Sequence, residues 1–261
     1  MPFSHHSHSG QFCAHATNTL EAVVQRALAS GMTTFCLTEH MPRALIDFYP
    51  EETASHTEAS LSQLYDDFFV EARRLQQAYA GRIQLFVGFE GEWIRPGSLQ
   101  LINAVLAKHG VDFFVGSVHH VYTMPIDFDD AMYREARDLG DGTDERIFAD
   151  YFDAQFEMLQ ALKPPVVAHL DLIRLKSDDP ERSFRTWPKI WEKIERNVEF
   201  IAAYGGIVEL NSSSMRKGMS EPYPQVEICK VCSIPIQSNS IHYQSQHKTA
   251  FLLLNPARTG H

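Results

Sequence analysis

Thr34-Phe35-Cys36-Leu37-Thr38-Glu39-His40 is a short apolar run that ends on a carboxylate and an imidazole. Its length and apolar character suit a buried strand. The same construction returns along the chain. Strands are expected over residues 34–38, 83–89, 111–118, 165–170 and 206–211. Longer helical stretches lie between them, over 19–30, 58–79, 98–108, 144–162 and 187–204. Asn18 or Thr19 before Leu20, and Ser98 after Pro96-Gly97, supply N-caps. Alternation of this kind reads as parallel βα units of an α/β fold. With His6–His8 as a first strand, six units are visible. Residues 121–142 are polar and irregular, and are read as a surface excursion with a loop around 138–143.

Metal-type residues fall at the strand ends. The second strand ends Thr38-Glu39-His40, the third Gly88-Phe89-Glu90-Gly91-Glu92, and the fourth Gly116-Ser117-Val118-His119-His120. The fifth ends Ala168-His169-Leu170-Asp171 and the sixth Glu209-Leu210-Asn211. In a βα barrel the C-terminal strand ends converge on one face, where the site is built. One histidine on an apolar strand is more often a satisfied core or surface residue. Ligand-type residues at every strand end point to a metal centre.

The N-terminal segment adds His5, His6, His8 and His15, four histidines within eleven residues. The run is interrupted and passes straight into helix-like sequence, unlike a purification tag. Neutral imidazole suits zinc, iron and similar ions. If the segment is extended, His6 and His8 share a face. Neighbours in a strand face opposite ways, so His5 and His6, or His119 and His120, cannot both point inward. Glu90 and Glu92 share a face, and either can ligate. His56, His109 and His261 lie in polar or terminal contexts that suit a surface role.

The 261 residues are enough for one large α/β barrel or two ordinary domains. A formal charge of −10 argues against a nucleic-acid or anionic-membrane partner. There is no membrane-length apolar run and no apolar leader segment. Cys13, Cys36, Cys229 and Cys232 are few and scattered, as in a reduced, cytoplasmic protein. Cys229-x-x-Cys232 has zinc-like spacing but no second pair, and is read as incidental. No Walker-type glycine loop and no G-x-S-x-G elbow occur. Metal-assisted hydrolysis therefore leads, with a carboxylate bridging cations about 3.5–4 Å apart.

Together the segments SHHSHSG…AH, CLTEHMPR, GFEGE, VGSVHHVYTMPIDFD, VVAHLDLIRL and YGGIVELNSSSMRKGMSEPYP resemble the PHP (polymerase and histidinol phosphatase) family, over roughly residues 3–230. The MPIDFD segment resembles its phosphatase branch. The resemblance implies a distorted (β/α)7 barrel with a site for up to three divalent ions (zinc, iron or manganese) at the strand C-termini. It implies that His6, His8 and Glu90 hold the first ion, that Glu90 bridges to a second held by His119 and His169, and that His15 and His40 hold the third. Glu90, His119 and His40 are the expected catalytic residues. Arg216 is expected to grip the substrate phosphate, its alternative being an exposed helix cation. Glu39, Glu209 and Asn211 are expected to orient ligands. The implied reaction is hydrolysis of L-histidinol phosphate, a small-molecule phosphate monoester, by a metal-bound hydroxide attacking phosphorus in line. Two rivals stand beside it: another metal-dependent phosphoesterase of the superfamily, and a non-catalytic metal-binding remnant.

The chain departs from the family pattern at its end. An aspartate and a histidine on the seventh strand complete the family's ligand set and are absent, and no Asp or Glu follows Glu227. We therefore expect a barrel domain over residues 1–230 with its last βα unit incomplete, and an atypical tail over 231–261 arising from a frameshift or an unspliced intron. His242 is a candidate replacement for the histidine, but the aspartate has none. The chain as written is expected to be a weak or inactive phosphatase of low stability.

Overall fold

The computed structural model describes residues 3–232 and 252–253. Its described residues divide into two units, one of 3–115 with Leu253 and one of 116–232 with Leu252.

In the first unit the expected alternation is present: β1 (Phe3–Ser4), α1 (Leu20–Ala29), β2 (Thr34–His40), α2 (Pro50–Ser55), α3 (Glu58–Ala78), β3 (Gln84–Glu92) and α4 (Ser98–Lys108). β1, β2 and β3 pair in parallel in that order. The β2–β3 register runs from Thr34 opposite Gln84 to His40 opposite Glu90. Thr19 caps α1 by accepting from the Ala22 amide at 3.2 Å, and Leu20, Val24 and Ala27 line its buried face. Burying Leu20 and Val24 contributes about 1.5–3 kcal/mol each. On α3 the buried residues Leu61, Tyr65, Phe68, Ala72 and Leu75 recur every three or four positions, the spacing of one helical face.

The first strand is displaced from its expected place. Phe3–Ser4 pairs with Thr34–Phe35, whereas His6–His8 is irregular chain. Side chains take over the hydrogen bonding there. The Ser7 amide donates to Thr38 Oγ1 at 2.9 Å, and Ser7 Oγ donates to the Cys36 carbonyl at 2.6 Å.

β4 (Val115–Ser117) leads into the second unit, which continues with β5 (His120–Val121), β6 (Met124–Pro125), α5 (Asp130–Leu139), α6 (Asp144–Leu162), β7 (Val166–Val167), α7 (Pro188–Tyr204), β8 (Ile207–Leu210), α8 (Ser213–Arg216), α9 (Val226–Cys232) and β9 (Leu252–Leu253). β7 and β8 are parallel, with Val166 opposite Ile207. The Ala168 amide donates to the Gly116 carbonyl at 3.0 Å. The stretch 121–142 is more ordered than expected. Met124–Pro125 pairs antiparallel with His120–Val121, and Asp129 caps α5 by accepting from the Met132 amide at 2.8 Å. Only Tyr133 and Ala136 of α5 are buried. The seam is sharply one-sided, but the helix is so polar overall that the stretch reads as irregular.

Candidate metal centre

Glu90, fully buried near the end of β3, is the hub of a histidine cluster in the first unit. Its Oε2 lies 3.2 Å from His6 Nε2, 3.2 Å from His8 Nε2 and 3.1 Å from His40 Nδ1. The imidazoles also face one another. His6 Nε2 and His8 Nε2 are 3.0 Å apart, and His40 Nε2 and His15 Nε2 are 3.3 Å apart. Two imidazole nitrogens at such a distance need a proton or a cation to share. The donor set therefore fits divalent metal ions. Of the two candidate carboxylates, Glu92 takes a different partner: the buried Arg43 guanidinium, which also pairs with Glu52 and sits 4.9 Å over the Tyr49 ring.

Glu39 orients the cluster from behind. Its Oε2 is 3.0 Å from His8 Nδ1, and its Oε1 accepts from the Ser9 amide at 2.7 Å and from Ser9 Oγ at 2.9 Å. Holding Nδ1 as the donor leaves Nε2, which faces Glu90, to carry the lone pair of the neutral ring that a cation would take. Burial pulls the His8 pKa down, but hydrogen bonds that its ring donates to Glu39 and Glu90 outweigh it and leave it raised. Burial sets His40 well below its ordinary value, and His8 adds to the effect.

The loop after His8 carries two more donors. Its Gly10 amide bonds the Thr17 carbonyl at 3.2 Å, and a Cβ on Gly10 would meet the Ala16 carbonyl oxygen and Thr17 Cα, each at 2.8 Å. Phe12 packs edge-on against Phe68 of α3 with ring centroids 5.7 Å apart. The loop so held brings Cys13 Sγ to 3.1 Å from His15 Nε2. Burial, followed by the nearby Glu39 charge, pushes the Cys13 thiol up to about 12. The reading of Cys13 as one of four scattered thiols missed this. The available signal was its place between His8 and His15.

The second unit holds its own histidine pair. His119 follows β4, His169 follows β7, and their rings lie 4.8 Å apart. Glu209 Oε2 accepts from the His169 amide and from Asn211 Nδ2, each at 3.1 Å. Asp171, two residues beyond His169, pairs with the buried Arg174, a partner that sequence reasoning missed. Arg174 Nε donates to Asp171 Oδ2 at 3.1 Å, and its Nη2 reaches the carbonyls of Glu221 and Pro222 at 2.9 and 2.7 Å. Burial pushes the Asp171 carboxyl up to about 6, against the pull of Arg174. Arg216 sits exposed in the last turn of α8.

Other singled-out residues lie elsewhere. The His5 ring packs edge-on against Phe3 at 5.3 Å. His120 is buried in β5. His56 is half-buried, with Nδ1 3.3 Å from Ser60 Oγ. His109, expected at the surface, is buried between Tyr65 and Phe69 with Nε2 3.0 Å from Asp66. Its neighbours come from a distant helix, which local polarity does not reveal. Cys229 and Cys232 share α9, and burial pushes both thiols up to about 12. Among the described residues they join no metal-type group. His242 and His261 lie outside the described residues. Among the described residues no helix is long and apolar enough to cross a membrane.

The family profile described as "PHP domain" matches residues 4–213. A Schizosaccharomyces pombe protein named probable histidinol-phosphatase is 42% identical, over 88% of this chain and 76% of its own. The Saccharomyces cerevisiae histidinol-phosphatase is 34% identical, over 87% of this chain and 78% of its own. A crystal structure of the Lactococcus lactis histidinol phosphate phosphatase, complexed with zinc, L-histidinol and phosphate, matches with a TM-score of 0.61 at 20% identity, over 81% of this chain and 72% of that one. That last likeness shows the shared fold.

Proposed function

This chain belongs to the PHP domain family, and from that premise we propose that it is a metal-dependent histidinol-phosphatase, hydrolysing L-histidinol phosphate to L-histidinol and phosphate. The observation that carries the reading is Glu90 Oε2 within 3.2 Å of the ring nitrogens of His6, His8 and His40. His6, His8, His15, His40 and Glu90 hold ions, and His119 and His169 hold a further one, for up to three in all. Glu39, Glu209 and Asn211 orient these ligands. Zinc, iron and manganese all suit imidazole and carboxylate donors, and the zinc in the Lactococcus lactis relative favours zinc.

Bound divalent ions supply an acidified water and positive charge beside the phosphoryl oxygens. The chain's own residues do the rest. Glu90 offsets the charge of the ions and keeps them close together. Glu39 fixes the His8 tautomer. Arg216 offers a planar fork to two phosphoryl oxygens. The small, doubly charged substrate suits a chain whose net charge of −10 disfavours nucleic acid. Thiols at Cys13, Cys36, Cys229 and Cys232 are in keeping with a cytoplasmic place.

The test is phosphate release by the purified chain supplied with zinc, iron(II) or manganese(II). Histidinol phosphate should be turned over faster than any other monoester in a panel. A rate no higher than buffer with all three metals, or equal rates across the panel, overturns the reading.

One sequence feature favours a second reading, of an impaired enzyme or a metal-binding remnant: no Asp or Glu follows Glu227. A site short of a carboxylate binds its ions less firmly, so turnover should fall below that of the Schizosaccharomyces pombe relative. Replacing residues 231–261 with that relative's corresponding segment should restore it. We also keep the proposal that this tail comes from a frameshift or retained intron. A clean transcript that encodes it in a homologous frame removes that idea.

A further inference from the structure

We propose that Cys13 is a thiolate ligand to a metal ion held together with His15 and His40. The inference rests on the metal-centre reading above, and not on the identity of the substrate. The ligand atoms of His8, Cys13 and His40 all lie within 4.8 Å of one another. His15 closes the group, with its Nε2 3.1 Å from Cys13 Sγ and 3.3 Å from His40 Nε2. In a tetrahedral zinc site with bonds of about 2.0–2.1 Å to nitrogen and 2.3 Å to sulfur, neighbouring donors stand roughly 3.3–3.6 Å apart. The separations of His15 from Cys13 and His40, 3.1 and 3.3 Å, lie close to that scale.

The surroundings suit an ion. Cys13 is buried, whereas His15 is exposed and leaves a route for an ion to enter. Coordination breaks the S–H bond, forms a sulfur–metal bond and releases the proton to water. No oxidant or reductant is involved. A soft thiolate beside imidazoles selects zinc over manganese or magnesium. The ion at Cys13 is therefore zinc-selective, while the all-oxygen-and-nitrogen set of His6 and Glu90 discriminates less.

Cobalt(II) loading of the full chain tests this. Expected is a near-ultraviolet sulfur-to-cobalt charge-transfer band alongside the visible d–d bands, and its loss in Cys13→Ser. Zinc X-ray absorption on the unaltered chain gives a reading independent of whether the variant folds, and should show a sulfur neighbour at about 2.3 Å. Bound cobalt with d–d bands but no sulfur band overturns the assignment while leaving the metal centre standing. A sulfur band that persists in Cys13→Ser assigns it to another thiol and overturns it too. Failure to bind cobalt or zinc at all overturns both readings.

Discussion

His40 and Glu90 are direct partners across the β2–β3 pairing, and His40 Nδ1 lies 3.1 Å from Glu90 Oε2. A parallel register thus sets the two residues level at the strand ends. Residues fifty positions apart in the chain become one site because the two strands are in step.

The buried Glu90 charge is what the surrounding imidazoles and any bound ions have in common. Glu90→Gln keeps the shape and removes the charge. Phosphate release should fall on the order of 100-fold or more, with metal content per chain falling too. Normal content and rate in the variant would remove Glu90 from the centre.

Glu39 serves His8 and Ser9 with separate oxygens. Glu39→Gln retains one acceptor, so one of these contacts is lost. Metal affinity, measured by competition with a chelator, should drop roughly 10–100-fold, the usual effect of losing a partner behind a ligand. An unchanged affinity shows that His8 is oriented by something else.

Gly10→Ala drives a methyl group into the backbone at Ala16 and Thr17, which cannot yield as a flexible side chain would. The loop bearing Cys13 and His15 must shift, at a cost of about 1–3 kcal/mol. The midpoint of urea unfolding should fall accordingly. A wild-type midpoint would mean that the loop is looser than its contacts suggest.

Asp171 gives a pH signature. Its carboxyl is held near 6 in the folded chain, chiefly by burial, against an ordinary value of about 3.9. Between these two values the folded state binds more protons than the unfolded one. Its contribution to stability therefore falls as pH rises through that window and is level above it. The difference in Tm between the unaltered chain and Asp171→Asn should shrink from pH 4 to 6 and then stay constant. A difference that does not vary with pH in that range refutes the raised pKa.

Much of the architecture was legible. The helices at Glu58–Ala78, Ser98–Lys108 and Asp144–Leu162 fall where periodicity puts them, because long amphipathic faces leave many matching positions, although Gly97 and not the expected Ser98 is the N-cap of the second. The strands were less legible. Only Val166–Val167 of the expected 165–170 is paired as strand, since pairing depends on a neighbour that the sequence does not display. α5 hid behind its polarity, and β1 begins three residues ahead of the His6–His8 stretch expected to form it.

The sequence by itself determined the alternation of strand and helix and the kinds of residue at each strand end. Spacing alone left Glu90 and Glu92 equivalent, with only the family resemblance favouring Glu90, and left Cys13 without a neighbour. Tertiary structure gives each its partners. Arg43 engages Glu92, while the β2–β3 register sets Glu90 among imidazoles, and the pinned loop after Gly10 carries Cys13 to His15. The physical reason is the same in each case. Periodicity is local and can be read along the chain, whereas the partner of a buried charge or thiol is set by which distant segment packs beside it.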